Sequence, residues 1–299
     1  RRMSAARAYL RPAMARGNVE VRVHSHATRV LFEGDRARGI EYRRHGATHN
    51  VHATREVILA GGVINTPQLL MLSGVGDADA LARFGIAVTA SLPGVGRNLQ
   101  DHVSVIMMYA RRERSPFHRN MRADRIALSL VNAYALGRGF AADIPGGAIG
   151  FLSSEPQLPC PDMQVILTTA SLPAWPWFPL IRKPFADGFA CRTVMLHPRS
   201  RGEVLLASAD PLAAPRIVQN FLADAHDWQV MRKTIRTVRE IVGQPALARY
   251  GGRETRPGAD GLSDDALDAF IRRTAITVHH PAGTCRMGHA TDPLAVADG

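Results

Sequence analysis

The sequence predicts a mixed fold, α+β with an α/β element, and three observations predict it. A short apolar run, Arg55 to Ala60, ends abruptly at Gly61-Gly62 and opens into a helical pattern, as a buried strand, tight turn and helix do. Strand-like stretches separated by turn residues fill the first third. Amphipathic helical patterns dominate the last third.

Along the chain, Val19-Glu20-Val21-Arg22-Val23 alternates at period two and predicts a strand; Arg29 to Glu33 reads likewise. Gly34-Asp35 is a turn signal, with Gly39 to Tyr42 as the returning strand of a hairpin. After the apolar run, Thr66 is the expected N-cap, with Pro67 in the first turn and a stop at Gly74. Ile126 to Leu136 suits an apolar helix that breaks at Gly137 and Gly139, and Met163 to Thr168 suits a strand. Trp175-Pro176-Trp177-Phe178-Pro179 is a rigid aromatic loop, either folded onto the core or forming a lid over a cavity. Gly202 to Leu206 predicts a strand. From Ala225 a long helix follows, with Val230, Thr234, Val238 and Ile241 on its apolar stripe. Ser263 caps a further helix, with Asp264 and Asp265 in its first turn, Leu262 and Leu267 as a staple and an end near Thr274. Ile276 to Pro281 is then expected to be extended.

Composition sets the class. At 299 residues, 46% hydrophobic and 21% charged, the chain has the balance of a globular protein of one large or two ordinary domains. No stretch reaches the roughly 18 apolar residues of a membrane span. A net charge of +11 raises nucleic-acid binding, but arginine carries nearly all of it and is scattered. Even the densest run, Arg111-Arg112-Glu113-Arg114, is interrupted by an acid, so no nucleic-acid partner is expected. Cys160, Cys191 and Cys285 are far apart and odd in number, which points to a reducing, cytoplasmic location, with association at the inner membrane surface compatible with it.

Chemistry concentrates in His279-His280-Pro281-Ala282-Gly283-Thr284-Cys285-Arg286-Met287-Gly288. Imidazole accepts and returns a proton near neutral pH. Pro281 biases His280 to an extended backbone, and Gly283 permits a tight turn beside it. On spacing alone, loop or core histidines remain the plainer reading. Elsewhere His24 and His26 would share a strand face, with His45, His49 and His52 nearby, but no cysteine or carboxylate completes a metal set, so no metal is expected. His102 follows Asn98-Leu99-Gln100-Asp101, where the carboxylate orients it or a structural hydrogen bond holds it. No dinucleotide fingerprint, P-loop, nucleophile elbow or HExxH motif is present.

Several of these segments, in order, resemble the glucose-methanol-choline (GMC) family of flavin oxidoreductases. The matches are Ser4 to Leu10, His26 to Gly34, the run Arg55 to Gly76 through Gly61-Gly62 and Asn65-Thr66-Pro67-Gln68, then Pro93 to His102, Ser200-Arg201-Gly202 with Ser208-Ala209-Asp210-Pro211, and His280 to Gly288. The resemblance covers most of the chain and is weakest from Val103 to Cys191. It implies an incomplete Rossmann-like FAD-binding domain and a substrate domain with an antiparallel sheet flanked by helices. The implied segments are 1–102 (partial FAD-binding domain), 103–278 (substrate domain) and 279–299 (return to the FAD-binding domain). By resemblance His280 is the active-site histidine that assists removal of the alcohol proton, His279 lines the same pocket, and the backbone of Ala27 approaches the adenine of FAD. The implied activity is oxidation of a primary alcohol to an aldehyde, as in the choline and alcohol dehydrogenase branch. Its electron acceptor would be a quinone, another carrier or oxygen. A flavin-containing lyase of the same fold, hydroxynitrile lyase-like, and an inactive fragment are the alternatives. The family's Gly-rich N-terminal unit and its second active-site residue have no counterpart in this sequence, so the chain alone is expected to bind FAD weakly or not at all.

Overall fold

The structure, a computed structural model, describes residues 3–142, 146–248, 250–258 and 263–298. The chain divides into two compact units: Arg1–Arg97, Val204–Ile217 and Thr284–Gly299 form the first, Asn98–Glu203 and Val218–Gly283 the second. Relative to the segments expected from sequence, 98–102 and 279–283 lie in the second unit and 204–217 in the first.

The first unit opens with a π-helical turn, Ala6–Leu10, running into α1 (Arg11–Ala15), neither with a buried residue. The strand expected at Val19–Val23 does not form, and all three valines are exposed. Alternation marks a strand only where a second backbone offers a ladder; here the chain instead turns at His24, whose φ is 55°. β1 (His26–Glu33), β2 (Arg36–Arg44) and β3 (Ala47–His52) then form an antiparallel sheet in sequence order. The first hairpin turns at Gly34-Asp35 as expected, and its register slips between Ala27 and Arg29, a β-bulge.

The run Arg55–Ala60 is not a strand: it pairs with no strand among the described residues, and Ile58 is 79% exposed. α2 (Gly62–Leu72) starts four residues before Thr66, which lies inside it and caps nothing. Pro67 therefore also sits within the helix, where it cannot donate to the carbonyl of Val63. The buried Thr284 hydroxyl donates to that carbonyl instead, at 2.6 Å. One hydroxyl from a distant segment makes a mid-helix proline tolerable.

α2 ends in Ser73, whose hydroxyl donates to the Leu69 carbonyl and accepts the Val30 amide of β1. Then come β4 (Val75–Gly76), α3 (Ala78–Ala82), capped by Asp77 on the Ala80 amide, and β5 (Ala90–Ser91), parallel to β4. Met71, Leu72, Val75, Leu81, Val95 and Leu206 form the core of this unit. Gly96, at φ +81°, lets two backbone segments meet: its amide donates to the Thr284 carbonyl and its carbonyl accepts from the Val204 amide. A Cβ there would stand 2.2 Å from the Val204 oxygen.

The second unit is built on β6 (Val103–Arg111). α4 (Pro116–Asn120), capped by Ser115, and α5 (Ala123–Leu136) follow, and Gly137 closes α5 in the left-handed conformation, as the sequence indicates. β7 (Ile149–Leu152), β8 (Met163–Thr168) and β9 (Gly188–Met195) come next. β10 (Glu203–Leu205) pairs with β11 (Arg216–Val218), both mostly within the first unit, and the second unit resumes with α6 (Ala225–Gly243), α7 (Pro245–Ala248), β12 (Gly251–Arg256), α8 (Asp264–Thr274) and β13 (Ile276–Thr277). The main sheet runs β12-β6-β9-β8-β7, all antiparallel, with β13 also on β6.

α6 and α8 bury Met231, Ile235, Val238, Leu267, Phe270 and Ile271 in one cluster with Val105 and Met107 of β6. The apolar stripe of α6 closes on Val242 rather than Ile241. In its first turn the fully buried Asp227 accepts the Arg199 and Ser200 amides and the Ser200 hydroxyl, three bonds to a distant loop. Ser263 caps α8, which ends at Thr274 as expected; the staple residue Leu262 lies outside the described residues. The aromatic loop folds onto its own unit: Trp175 Nε1 donates to the Lys183 carbonyl and Trp177 Nε1 to that of His118, with Trp175 edge-on to Phe185.

Candidate active site

In the second unit, Gln100 and Ala282 exchange two backbone hydrogen bonds, of 2.9 and 2.8 Å, laying the His-Pro-Ala-Gly segment beside Asn-Leu-Gln-Asp. Gly283, at φ +99°, is needed there because a Cβ would fall 2.4 Å from the Asn98 oxygen. Asp101 is the buried anchor. One of its oxygens accepts the His280 amide at 3.1 Å and the other accepts the Thr277 hydroxyl. Thr277 Oγ1 in turn accepts the His279 amide at 2.8 Å.

This network bends the chain. The stretch expected to be extended from Ile276 to Pro281 is a strand only over β13 and then turns at His279, whose φ is +63°. A histidine pays a steric penalty in that region, and the Thr277–Asp101 bonds offset it. The His279 and His280 side chains are both exposed. No described residue hydrogen-bonds the His280 ring, which leaves both ring nitrogens for a ligand.

His102 stands edge-on to His280, ring centroids 5.4 Å apart. Its Nδ1 lies 2.8 Å from the Leu196 carbonyl, which can only accept. That bond places the proton on Nδ1 and leaves Nε2 as the acceptor of the neutral ring. The carboxylate of Asp101 thus serves His280, not its own neighbour His102. Of the two readings the sequence allows for His102, the structural hydrogen bond is the one observed; its adjacency to Asp101, which holds His280, is the signal that joins the two imidazoles.

In the first unit, Ala27 lines a cavity of about 320 Å³ together with Ser25, Ile40, Gly61, Thr66 and Pro211. Ala27 pairs with Tyr42, and the β-bulge falls at the next residue, Thr28, which is skipped in the register. His24 sits in a turn and His26 opens β1, its Nε2 3.1 Å from the Pro211 carbonyl, so they do not form the shared strand face expected of them. No cluster of three or more potential metal ligands occurs among the described residues. Cys191 is buried, which pushes its thiol up to about 12; Cys285 is half-buried and its thiol is raised for the same reason. Cys160 is exposed, with Sγ 3.8 Å from His197 Nε2.

Sequence profiles of the GMC oxidoreductases match both ends of the chain, residues 1–104 to the family's N-terminal part and 198–299 to its C-terminal part. The chain belongs to the GMC oxidoreductase family. Among curated relatives of this GMC chain, the mitochondrial choline dehydrogenase of Mus musculus is 40% identical over 302 residues, covering 100% of the chain and 49% of the relative. An oxygen-dependent choline dehydrogenase of Chromohalobacter salexigens is 38% identical, covering 100% of the chain and 53% of the relative. The chain thus spans about half the length of the curated relatives it matches. Pyridoxine 4-oxidase from Mesorbium loti superposes with a TM-score of 0.81 at 28% identity, over 100% of the chain and 53% of that structure. A fungal aryl-alcohol oxidase, at TM-score 0.86 and 23% identity, shares the fold over 100% of the chain and 57% of its own length.

Proposed function

We propose that the protein carrying this chain is an FAD-dependent oxidoreductase that converts a primary alcohol to an aldehyde. The observation that carries the reading is the pinned His280. A buried carboxylate fixes its backbone, a second imidazole stands beside it, and its ring is free to meet a substrate hydroxyl.

The first unit suits the cofactor. The cavity beside Ala27 combines aliphatic walls from Ile40, Leu59 and Leu69 with the polar groups of Ser25, Asn65 and Thr66, a lining that suits a flat heteroaromatic ring such as adenine. In this reading the first unit holds FAD and the second shapes the alcohol site. When bound, the flavin supplies a two-electron acceptor. The chain's own residues do the rest. His280 takes the hydroxyl proton on a ring nitrogen; Asp101 and Thr277 keep the left-handed turn that presents it; His279 lines the pocket. The three unpaired cysteines accord with a reducing cytoplasmic compartment.

The full-length protein loaded with FAD, mixed anaerobically with primary alcohols, should lose its oxidised-flavin absorbance as aldehyde forms. Substrate consumed while the yellow colour persists contradicts the reading and fits a lyase. No consumption of any alcohol, with FAD tightly held, overturns it as well.

A further inference from the structure

Two sequence features are not used in the chemistry proposed above: the arginine-rich run from Arg111 and the aromatic loop at Trp175–Pro179. The second unit brings them together. The Trp177 carbonyl accepts the Ala123 amide and its own amide donates to the Met121 carbonyl, tying the loop to the start of α5. Arg125, in the first turn of α5, reaches the carbonyl of Arg119 on α4.

This corner presents apolar groups to solvent. α5 has no buried residue; Leu128, Val131 and Leu136 are exposed, and Tyr134 is 96% exposed. Leu128 and Val131, three apart, share one face, and Tyr134 follows Val131 by three. At the tip of the loop, Leu180 is fully exposed in a left-handed conformation and Ile181 is 83% exposed. The tryptophan rings of the same loop pack against His118 and Phe185, which leaves Leu180, Ile181 and the half-exposed Phe178 facing outward.

The charge around this surface is predominantly positive. Residues 111–138 hold seven arginines against two acids, Glu113 and Asp124, and Arg182 and Lys183 follow the loop tip. A cavity of about 400 Å³ at the start of α4 is lined by Arg111, Arg114 and Arg119, with Ser115 and Glu113. Arg111 is fixed at its wall by the Thr169 and Gly188 carbonyls and by the face of Phe189. No described residue pairs with the side chains of Arg114 or Arg119, so their guanidinium forks remain for an incoming oxyanion. Exposed aliphatics rimmed by arginines match the interface of an anionic bilayer, with its apolar interior and phosphate surface.

We infer that α5 and the 175–183 loop dock the protein onto an anionic phospholipid surface, with Arg111, Arg114 and Arg119 holding a lipid phosphate. The inference stands apart from the flavin chemistry.

The test is co-sedimentation of the full-length, FAD-loaded protein with vesicles of phosphatidylcholine alone, or with added phosphatidylglycerol. The protein should pellet with the phosphatidylglycerol vesicles, stay in solution with phosphatidylcholine alone, and be released by salt. Arg114→Gln with Arg119→Gln should weaken partitioning roughly 30-fold, at the usual scale of surface arginines near anionic lipid. Leu180→Ser with Ile181→Ser should weaken it about tenfold or more. FAD content certifies that each variant folds, and alcohol-driven flavin reduction on the same samples separates a failed docking site from a failed activity. Absence of vesicle binding, equal binding to both vesicle types, or unchanged binding by both variants overturns the inference. So does a self-association broken by Leu128→Ser with Val131→Ser in a protein that ignores vesicles, or burial of α5 by the rest of the chain in hydrogen exchange.

Discussion

The two units reach stability by different routes. The second packs α6 and α8 against an antiparallel sheet and buries large apolar side chains such as Met231, Ile235 and Leu267 completely. The first closes a smaller cluster around Met71 and Leu81 and depends on single polar atoms at its crossings. Thr284 serves the orphaned Val63 carbonyl, Ser73 ties α2 to β1, and Gly96 receives and donates at a backbone junction. Burial of apolar surface tolerates small changes of shape, whereas a lone hydroxyl serving a buried carbonyl has no substitute. The second unit is a packed platform for its histidines; the first is a set of junctions held by individual bonds.

Substitution can sharpen this contrast. Met231→Ala should remove about 2–5 kcal/mol from the second unit, measured by urea unfolding, because the fully enclosed site cannot collapse around the void. A loss below about 1 kcal/mol would show that the platform is not where its stability lies. Thr284→Val, nearly isosteric, should cost about 1–3 kcal/mol by stranding the Val63 carbonyl beside Pro67. A neutral result would mean that the mid-helix proline needs no external donor.

The smallest effect concerns the thiols. In native protein a thiol reagent should label Cys160 first, Cys285 more slowly, and Cys191 only on unfolding. Burial raises Cys191 from the ordinary 9.0 to about 12, so it holds almost no thiolate at neutral pH. The sign for stability follows: the unfolded thiol ionises first, so the contribution of Cys191 is complete below pH 9.0 and fades towards about 12. Rapid native labelling of Cys191 would contradict the packing of β9.

What could be read from the sequence was local. The Gly34-Asp35 hairpin, the left-handed stop of α5 at Gly137 and the Ser263 cap rest on residues within a few positions of each other. The misreadings were non-local. Thr66-Pro67 looks like a helix start because nothing nearby shows that Thr284 rescues a proline inside the helix. Val19–Val23 alternates, yet no ladder forms on it among the described residues. His280 stood out through its proline and glycine neighbours, but Asp101, which holds it, lies 179 residues away. The buried anchor Asp227 was likewise invisible, since its partners Arg199 and Ser200 come from another segment.

His280 is the group proposed to accept the alcohol proton. Its most direct test is the rate of anaerobic flavin reduction in the full-length protein and its His280→Ala variant, by rapid mixing with a primary alcohol that reduces the parent. A fall of about 10²-fold or more, with FAD still bound, is the predicted result. A rate equal to that of the parent would remove His280 from the chemistry.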